Sequence, residues 1–310
     1  MIAVTGLTKR FGARHAVDGV TFEVPAGEIF GFVGPNGAGK TTTIRMLATL
    51  LRPTSGTAVI DGIDVVRQPE RARRRLGFMP DFFGVYDRLT AFEYLSFYAA
   101  CYDVPRHRRA KIILDLLELV DLGDRRESLV DTLSRGMKQR LCLARALVHD
   151  PAVLLLDEPA SGLDPRARVE MRELLQELRS MGKTILISSH ILPELTELCS
   201  MIGIIDEGQM QATGPVRDVV HGLTPGRRLL IEVLDRQDDA VTLCQRFPSV
   251  QTAVLTSGGI EVAFTGDERG MASLLRSMVS ADIPVVAFTR LEAELEDVYL
   301  RLTSGGEDAA

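Results

Sequence analysis

The sequence has no long hydrophobic run. None of its apolar stretches approaches the ~18 consecutive residues that a membrane-spanning helix requires. Its first residues, Met1 to Gly6, also lack the charged and apolar regions of a signal peptide. These absences argue against a membrane span and a secretory leader, and we expect a cytosolic chain.

Paired cysteines and an excess of basic charge are absent as well. The four cysteines lack the spacing of a zinc site, and each is best explained as a small buried apolar residue in a reducing compartment. They are Cys101, Cys142, Cys199 and Cys244. The net charge of −6 provides no global basic field for nucleic acid. Two local basic runs, 71–75 and 106–109, are explained more simply as solvated helix faces, so we expect no nucleic-acid partner.

The composition is that of a soluble globular protein. Hydrophobic residues make up 45% of the chain and charged residues 25%. At 310 residues the chain exceeds the size at which one core usually divides into two domains.

A glycine-rich stretch lies between a predicted buried strand at 28–33 and a predicted helix at 42–51. It reads Gly34, Pro35, Asn36, Gly37, Ala38, Gly39, Lys40, Thr41. A Gly-x4-Gly-Lys-Thr pattern between a strand and a helix is typical of a phosphate-binding loop. The loop N–H groups and the helix N-terminus would together bind phosphate. The alternative, an ordinary glycine-rich turn, is disfavoured by the flanking strand and helix.

Two residues of this loop have predicted roles in binding ATP and Mg²⁺. Lys40 would contact the β- and γ-phosphates, and the Thr41 hydroxyl would bind Mg²⁺. Thr42, the next residue, belongs to the same predicted ATP site.

Two acids end a second predicted strand, the apolar run 152–156. Such an unbroken run suits a central parallel strand, whose carboxyl end is where α/β sheets bind ligands. Asp157 would hold Mg²⁺ through a water, and Glu158 could activate the water that attacks ATP. A solvated strand end is the alternative, which the nearby phosphate loop disfavours.

Three further residues are candidates because of where they stand. His190 ends a predicted buried strand at 184–190, at the ligand edge of the sheet. Ser134 can cap a helix in which Gly136 removes a side chain near the N-terminus, which creates a second anion-receptive helix start. Taken alone, Ser134 is better explained as a routine serine cap. Asp164 is a suitable N-cap before Pro165.

A helical subdomain is expected at about 88–150, inserted into the nucleotide-binding fold. Thr90 and Glu93 form a capping-box pattern, and an apolar stripe at 112–120 marks a second helix. The exposed face of this subdomain would be a docking surface.

A separate domain is expected at 215–310. Predicted strands lie at 227–234, 250–256, 260–264 and 285–289, and helices at 238–247, 271–280 and 291–302. Gly258 and Gly259 predict a tight hairpin. The order β-α-β-β-α-β matches a ferredoxin-like α+β domain. A role in regulation or dimer contact and a purely stabilising role both fit.

These motifs, in this order, resemble the ATP-binding subunit of an ABC transporter over roughly residues 1–214. Ser134 precedes Asp157 by 23 residues, and His190 follows Asp157 after 33. The resemblance implies an α/β P-loop NTPase core with an antiparallel β subdomain and the helical insertion. It also implies ATP, Mg²⁺ and a second copy of the chain in a homodimer.

The resemblance assigns roles by position. Phe11 is similar to the aromatic residue that stacks on adenine, Glu158 to the catalytic glutamate, and His190 to the histidine that senses the γ-phosphate. Ser134 and Gly136 resemble signature residues that close the ATP site of the second subunit. Asp164 would belong to the loop at that dimer site.

Three features depart from the usual family pattern: the signature, the adenine-stacking residue and the metal-contacting glutamine. Arg135 and Met137 replace the first glycine and the glutamine of the signature, a variation familiar among ABC-2 type exporters. Phe11 stands where tyrosine is usual. Asp81 occupies the position expected to be a metal-contacting glutamine. It would reach Mg²⁺ through a water, or it is a surface aspartate without a metal role.

The resemblance implies a subunit that powers transport, in the direction of export, through a separate membrane permease. The chain would then lie on the inner face of the membrane through that permease. The alternative is a soluble ABC-type ATPase that acts on ribosomes or DNA. Such proteins usually carry two ATP cassettes or long coiled-coil insertions, neither of which this sequence contains.

Overall fold

The chain divides into two compact units, Met1–Val216 and Arg217–Ala310. The structure is a computed structural model that describes residues 1–81, 88–223 and 227–291.

An antiparallel sheet occupies the N-terminal part of the first unit. Its strands are β1 (Ile2–Phe11), β2 (Arg14–Val24), β4 (Ser55–Ile60) and β5 (Ile63–Asp64), in the order β2-β1-β4-β5. The sequence has only short alternating segments before residue 25, so strands of this length were not predicted. β1 and β2 are long paired strands whose register shifts between Val4 and Arg10, and these irregularities interrupt the alternation of apolar and polar residues.

A six-stranded sheet forms the centre of the first unit. Its strands are β3 (Ile29–Val33), β6 (Leu76–Met79), β7 (Val153–Asp157), β8 (Thr184–Ser189), β9 (Met201–Asp206) and β10 (Gln209–Pro215). The order is β10-β9-β3-β8-β7-β6, and every neighbouring pair is parallel except β10 with β9. Every residue of β3, β7 and β8 is buried, as predicted for these three strands. β9 and β10 were not predicted.

Four helices accompany these sheets. They are α1 (Lys40–Leu47), α2 (Pro69–Arg73), α6 (Pro165–Ser180) and α7 (Leu192–Leu198). The predicted bounds of α1 were wrong. It begins at Lys40 because Gly39 takes a left-handed conformation as the N-cap, and Thr49, at φ 62°, lies in a turn beyond its end.

Three α-helices lie among the described residues between β6 and β7, in the segment where a helical subdomain was expected. They are α3 (Ala91–Cys101), α4 (Arg106–Leu119) and α5 (Arg135–Leu147). The predicted capping box forms: the Glu93 N–H donates to the Thr90 hydroxyl at 3.2 Å, and the Thr90 N–H donates to the Glu93 carboxylate at 2.9 Å.

The second unit has its own apolar core. Its elements are β11 (Arg227–Val233), α9 (Gln237–Arg246), β12 (Val250–Thr256), β13 (Gly259–Phe264), α10 (Glu268–Ser280) and β14 (Val285–Leu291), and α8 (Val216–Leu223) precedes them. The sheet order is β12-β13-β11-β14 with antiparallel neighbours. The predicted hairpin forms, because Thr256 pairs with Gly259. Leu291 ends β14, and the rest of the predicted helix 291–302 lies outside the described residues.

Candidate functional site

A cavity of about 820 Å³ lies where the phosphate-loop motif meets the ends of β7 and β8. Most of the residues predicted from the sequence for nucleotide and metal binding line it. The lining residues are Phe11, Arg14, Ala16, Pro35, Asn36, Gly37, Gly39, Lys40, Thr41, Thr42, Asp81, Arg135, Glu158, Ser161 and His190. Gly34 and Ala38, from the same loop, are buried.

The loop requires glycine at two positions because other backbone approaches closely. A side-chain carbon at Gly34 would lie 2.2 Å from the Ile205 carbonyl oxygen, and one at Gly39 would lie 2.6 Å from that of Ala16. Gly39 also has a φ of 109°, which residues with side chains rarely adopt. The spacing of these glycines therefore reflects the packing of the loop.

Lys40 carries its charge into the interior of the site. The side chain is 6% exposed, and its Nζ donates to the Gly34 carbonyl at 2.6 Å and to that of Pro35 at 3.2 Å. Glu158 Oε1 lies 3.7 Å from the same Nζ. Burial lowers the pKa of Lys40, whereas the carboxylates of Glu158 and Asp157 raise it. The site thus holds a partly compensated cation that can bind an anionic ligand.

Asp157 is the most deeply buried acid of the site, at 1% exposure. Its Oδ1 accepts hydrogen bonds from Ser188 Oγ at 2.6 Å and Thr41 Oγ1 at 3.2 Å. Its Oδ2 is buried and has no hydrogen-bond partner among the described residues. Burial raises the pKa of Asp157, and the charge of Asp81 contributes in the same direction.

These groups fit Mg²⁺. The orphaned oxygen of Asp157 and the adjacent Thr41 hydroxyl are hard oxygen donors, and Asp81 lines the same cavity. Within the described part of the chain, no group of three or more His, Cys, Asp or Glu residues could hold a metal ion. A site of this kind suits Mg²⁺, which often uses one or two carboxylates and completes its shell with phosphate oxygens and waters.

Glu158 and His190 form a hydrogen-bonded pair at the cavity. His190 Nδ1 lies 2.8 Å from Glu158 Oε2. The backbone of Glu158 is left-handed, with a φ of 51°, and its N–H donates to the Ser188 hydroxyl at 3.0 Å. This conformation at the end of β7 accompanies the turn of the chain toward Ser161.

Six predicted site residues do not line the cavity of their own chain: Gly34, Ala38 and Asp157, which are buried beside it, and Ser134, Gly136 and Asp164. Ser134 and Asp164 instead cap helices, as predicted: Ser134 Oγ accepts from the Met137 N–H at 3.3 Å, and Asp164 Oδ1 from the Ala167 N–H at 2.8 Å. Gly136 leaves room at the start of α5, where a side-chain carbon would lie 3.4 Å from Leu163 and from Ala167.

Some lining residues were not predicted to be part of the site. Arg14 and Ala16 belong to no recognised motif, Ser161 begins the motif that ends at Asp164 but had no predicted role, and Arg135 stood out only as a departure from the usual signature. Ser188, which fixes Asp157, could have been found as a polar residue at the end of a buried strand. Phe11 lines the cavity and is 54% exposed.

Comparison with known proteins identifies the family. The family model described as "ABC transporter" matches residues 17–161. The bacitracin transport ATP-binding protein of Bacillus licheniformis is 40% identical, over 99% of this chain and 98% of its own length. The Nod factor export ATP-binding protein I of Ralstonia nicotianae is 36% identical, over 98% of this chain and 94% of its own.

The chain belongs to the ABC transporter family. It is an ATP-binding subunit that hydrolyses ATP, which confirms the prediction from the sequence. Solved structures agree: the ATP-binding subunit of an ABC transporter has a TM-score of 0.66 and 32% identity, covering 72% of this chain and 92% of that one. A dimeric ATP-binding cassette with ADP and phosphate, in a post-hydrolysis state, has a TM-score of 0.64 and 26% identity, covering 70% and 99%. The fold of the ABC ATPase is therefore confirmed.

Within residues 1–81, 88–223 and 227–291, no helix has both the length and the apolar character needed to cross a bilayer.

Replacing Asp157 with asparagine should stabilise the protein in the absence of metal and nucleotide. Because burial raises the pKa of Asp157 above its ordinary value, its ionisation destabilises the folded state at neutral pH. We expect Asp157→Asn to add about 1 kcal/mol of stability, or about 2–4 °C in melting temperature, at pH 7.

This gain should shrink as the pH falls through the raised pKa of Asp157 and vanish below its ordinary value, where the carboxyl is neutral in both the folded and the unfolded chain. With Mg²⁺ and ATP present, the wild-type protein should be the more stable of the two. Melting curves across pH test both statements, with Asp115→Asn on the exposed face of α4 as control. Equal melting temperatures for Asp157→Asn and wild type at pH 7 without ligand would show that the ionised Asp157 carboxylate does not destabilise the folded protein.

Proposed function

We propose that this subunit powers export through a separate membrane permease and lies at the inner face of the membrane through it. The support comes from relatives named for bacitracin transport, Nod factor export and linearmycin resistance, the last from Bacillus subtilis at 31% identity. Each matches 98% or more of this chain, so the similarity includes the second unit. None of these three names describes action on ribosomes or DNA, the alternative function.

The proposed hydrolysis mechanism is supported by one observation: Lys40, Glu158 and His190 all line the same cavity. Lys40 binds the β- and γ-phosphates and exchanges its loop-carbonyl contacts for phosphate oxygens. A water attacks the γ-phosphorus, the bond to the ADP oxygen breaks, and the water proton passes to Glu158. His190 orients the Glu158 carboxylate through the 2.8 Å bond to Oε2.

The remaining residues bind the nucleotide and the metal. Thr41 and Asp157 hold Mg²⁺, with Asp81 reaching it through a water. The bound ion neutralises charge on the phosphate oxygens. The exposed ring of Phe11 stacks on the adenine.

A second copy of the chain completes each ATP site. Ser134 and Gly136 of one copy close on the nucleotide of the other, and Asp164 belongs to the loop at that contact. Their absence from the cavity of their own chain supports this arrangement, as does the similarity to a dimeric cassette.

The second unit is proposed to be a ferredoxin-like domain with a role in regulation or dimer contact. Its β-α-β-β-α-β order and the strand order β12-β13-β11-β14 support the fold. A purely stabilising role is the alternative.

Replacing Glu158 with glutamine should keep ATP binding and lower hydrolysis by on the order of 10²–10⁴, the usual contribution of a positioned base. Nucleotide binding by fluorescence and phosphate release under saturating ATP measure the two effects. Glu177→Gln, on the exposed face of α6, is the matched control and should hydrolyse ATP normally. Near-normal turnover of Glu158→Gln would remove Glu158 from this role.

The Glu158→Gln protein should form a dimer that depends on ATP, because bound nucleotide then joins two copies without being consumed. Adding Ser134→Arg should abolish this dimer by placing a large side chain at the closing surface. Light scattering after size exclusion, with and without ATP, measures both. If the double variant still dimerises on ATP, the arrangement across two copies is wrong.

A further inference from the structure

Two side chains of α5 converge on one backbone carbonyl in the loop that follows Glu158. Arg135 Nη2 and Gln139 Nε2 each donate a hydrogen bond to the Ser161 carbonyl oxygen, both at 3.0 Å. The two donors are four residues apart and so lie on the same face of the helix. Gln139 is only 2% exposed, so its contact is shielded from water.

The guanidinium of Arg135 also packs directly against Gly162. A side-chain carbon at Gly162 would lie 2.4 Å from Arg135 Cζ, and the φ of Gly162 is 68°. Glycine is therefore required beside this arginine, both for the backbone conformation and for space.

The same loop is connected to Glu158 by a short turn. The Ser161 N–H donates to the Glu158 carbonyl at 3.1 Å, and the Leu163 N–H donates to that of Ala160 at 3.3 Å. A left-handed residue other than glycine, such as Glu158, is unfavourable and persists only when its surroundings hold it. Fixing Ser161 from α5 therefore helps to hold Glu158 at the cavity.

We propose that Arg135 and Gln139 are positioning residues, which hold the loop 158–162 of their own chain and thereby set the Glu158 carboxylate for hydrolysis. This inference rests on the proposed role of Glu158. Arg135 occupies a position where a family signature usually has glycine, so its bond supplements the one from Gln139. The contact lies within one chain and exists without nucleotide or a second copy.

Hydrogen exchange on the full-length protein without nucleotide tests the contact directly. In Arg135→Gln the amides of Ser161 and Leu163 should exchange about tenfold faster, the factor expected for one lost hydrogen bond. Adding Gln139→Met should accelerate them further. Lys138→Gln is the control: Lys138 donates to the Asp131 carbonyl at 3.0 Å, and its loss should leave the loop unchanged.

Steady-state kinetics of the same variants test the effect on Glu158. Arg135→Gln should lower kcat for ATP about tenfold with KM within about twofold, because the contacts of Lys40 to phosphate remain. Arg135→Lys should recover part of the loss, since its ammonium can still donate to the Ser161 carbonyl.

Three results would overturn the proposal. Unchanged hydrogen exchange of the Ser161 and Leu163 amides in Arg135→Gln would show that the Arg135 hydrogen bond does not stabilise the loop. Faster exchange throughout α5 and β7 would show a general loss of stability instead. A raised KM with unchanged exchange would assign Arg135 to direct nucleotide binding. Normal hydrolysis by Glu158→Gln would instead contradict the proposed role of Glu158. Hydrogen exchange in Arg135→Gln would still show whether Arg135 stabilises the loop.

Discussion

The buried ammonium of Lys40 is the constraint on which the ATP site depends. A cation at 6% exposure needs nearby acceptors, which here are two loop carbonyls and the carboxylate of Glu158. The parallel sheet supplies them together: β3 leads into the loop, β7 ends at Asp157, and β8 lies between these strands. The strand order thus places the opposite charges at one edge.

Much of the site could be predicted from the sequence because its motifs are formed by residues that lie close together in the chain. The glycines of the phosphate loop are required by close backbone contacts, and Ser134 and Asp164 cap helices through bonds to residues three positions ahead. Each such pattern determines its own geometry. The buried strands β3, β7 and β8 were also predicted from local sequence, because each contains a short run of apolar residues.

The parts that escaped prediction depend on partners far away in the sequence. Ser188 and Asp157 are 31 residues apart, and Arg135 and Ser161 are 26 apart, so no local spacing marks either bond. The same holds for β1 and β2, whose register shifts break the alternation that identifies strands. The start of α5 carries both the signature residues and the side chains that donate to Ser161. We therefore propose that one helix contacts the ATP site of the second copy and also holds the loop after Glu158 in its own chain.

That the subunit powers a separate membrane chain is tested most directly by isolating the native complex. The full-length chain carrying an affinity tag would be purified from its own cells in mild detergent, and its companions identified and counted by mass spectrometry. We expect an integral-membrane chain with two copies of this subunit, and an ATPase activity that Glu158→Gln removes from the complex. Recovery of the chain with ribosomes or DNA, or without any membrane chain, would contradict the account.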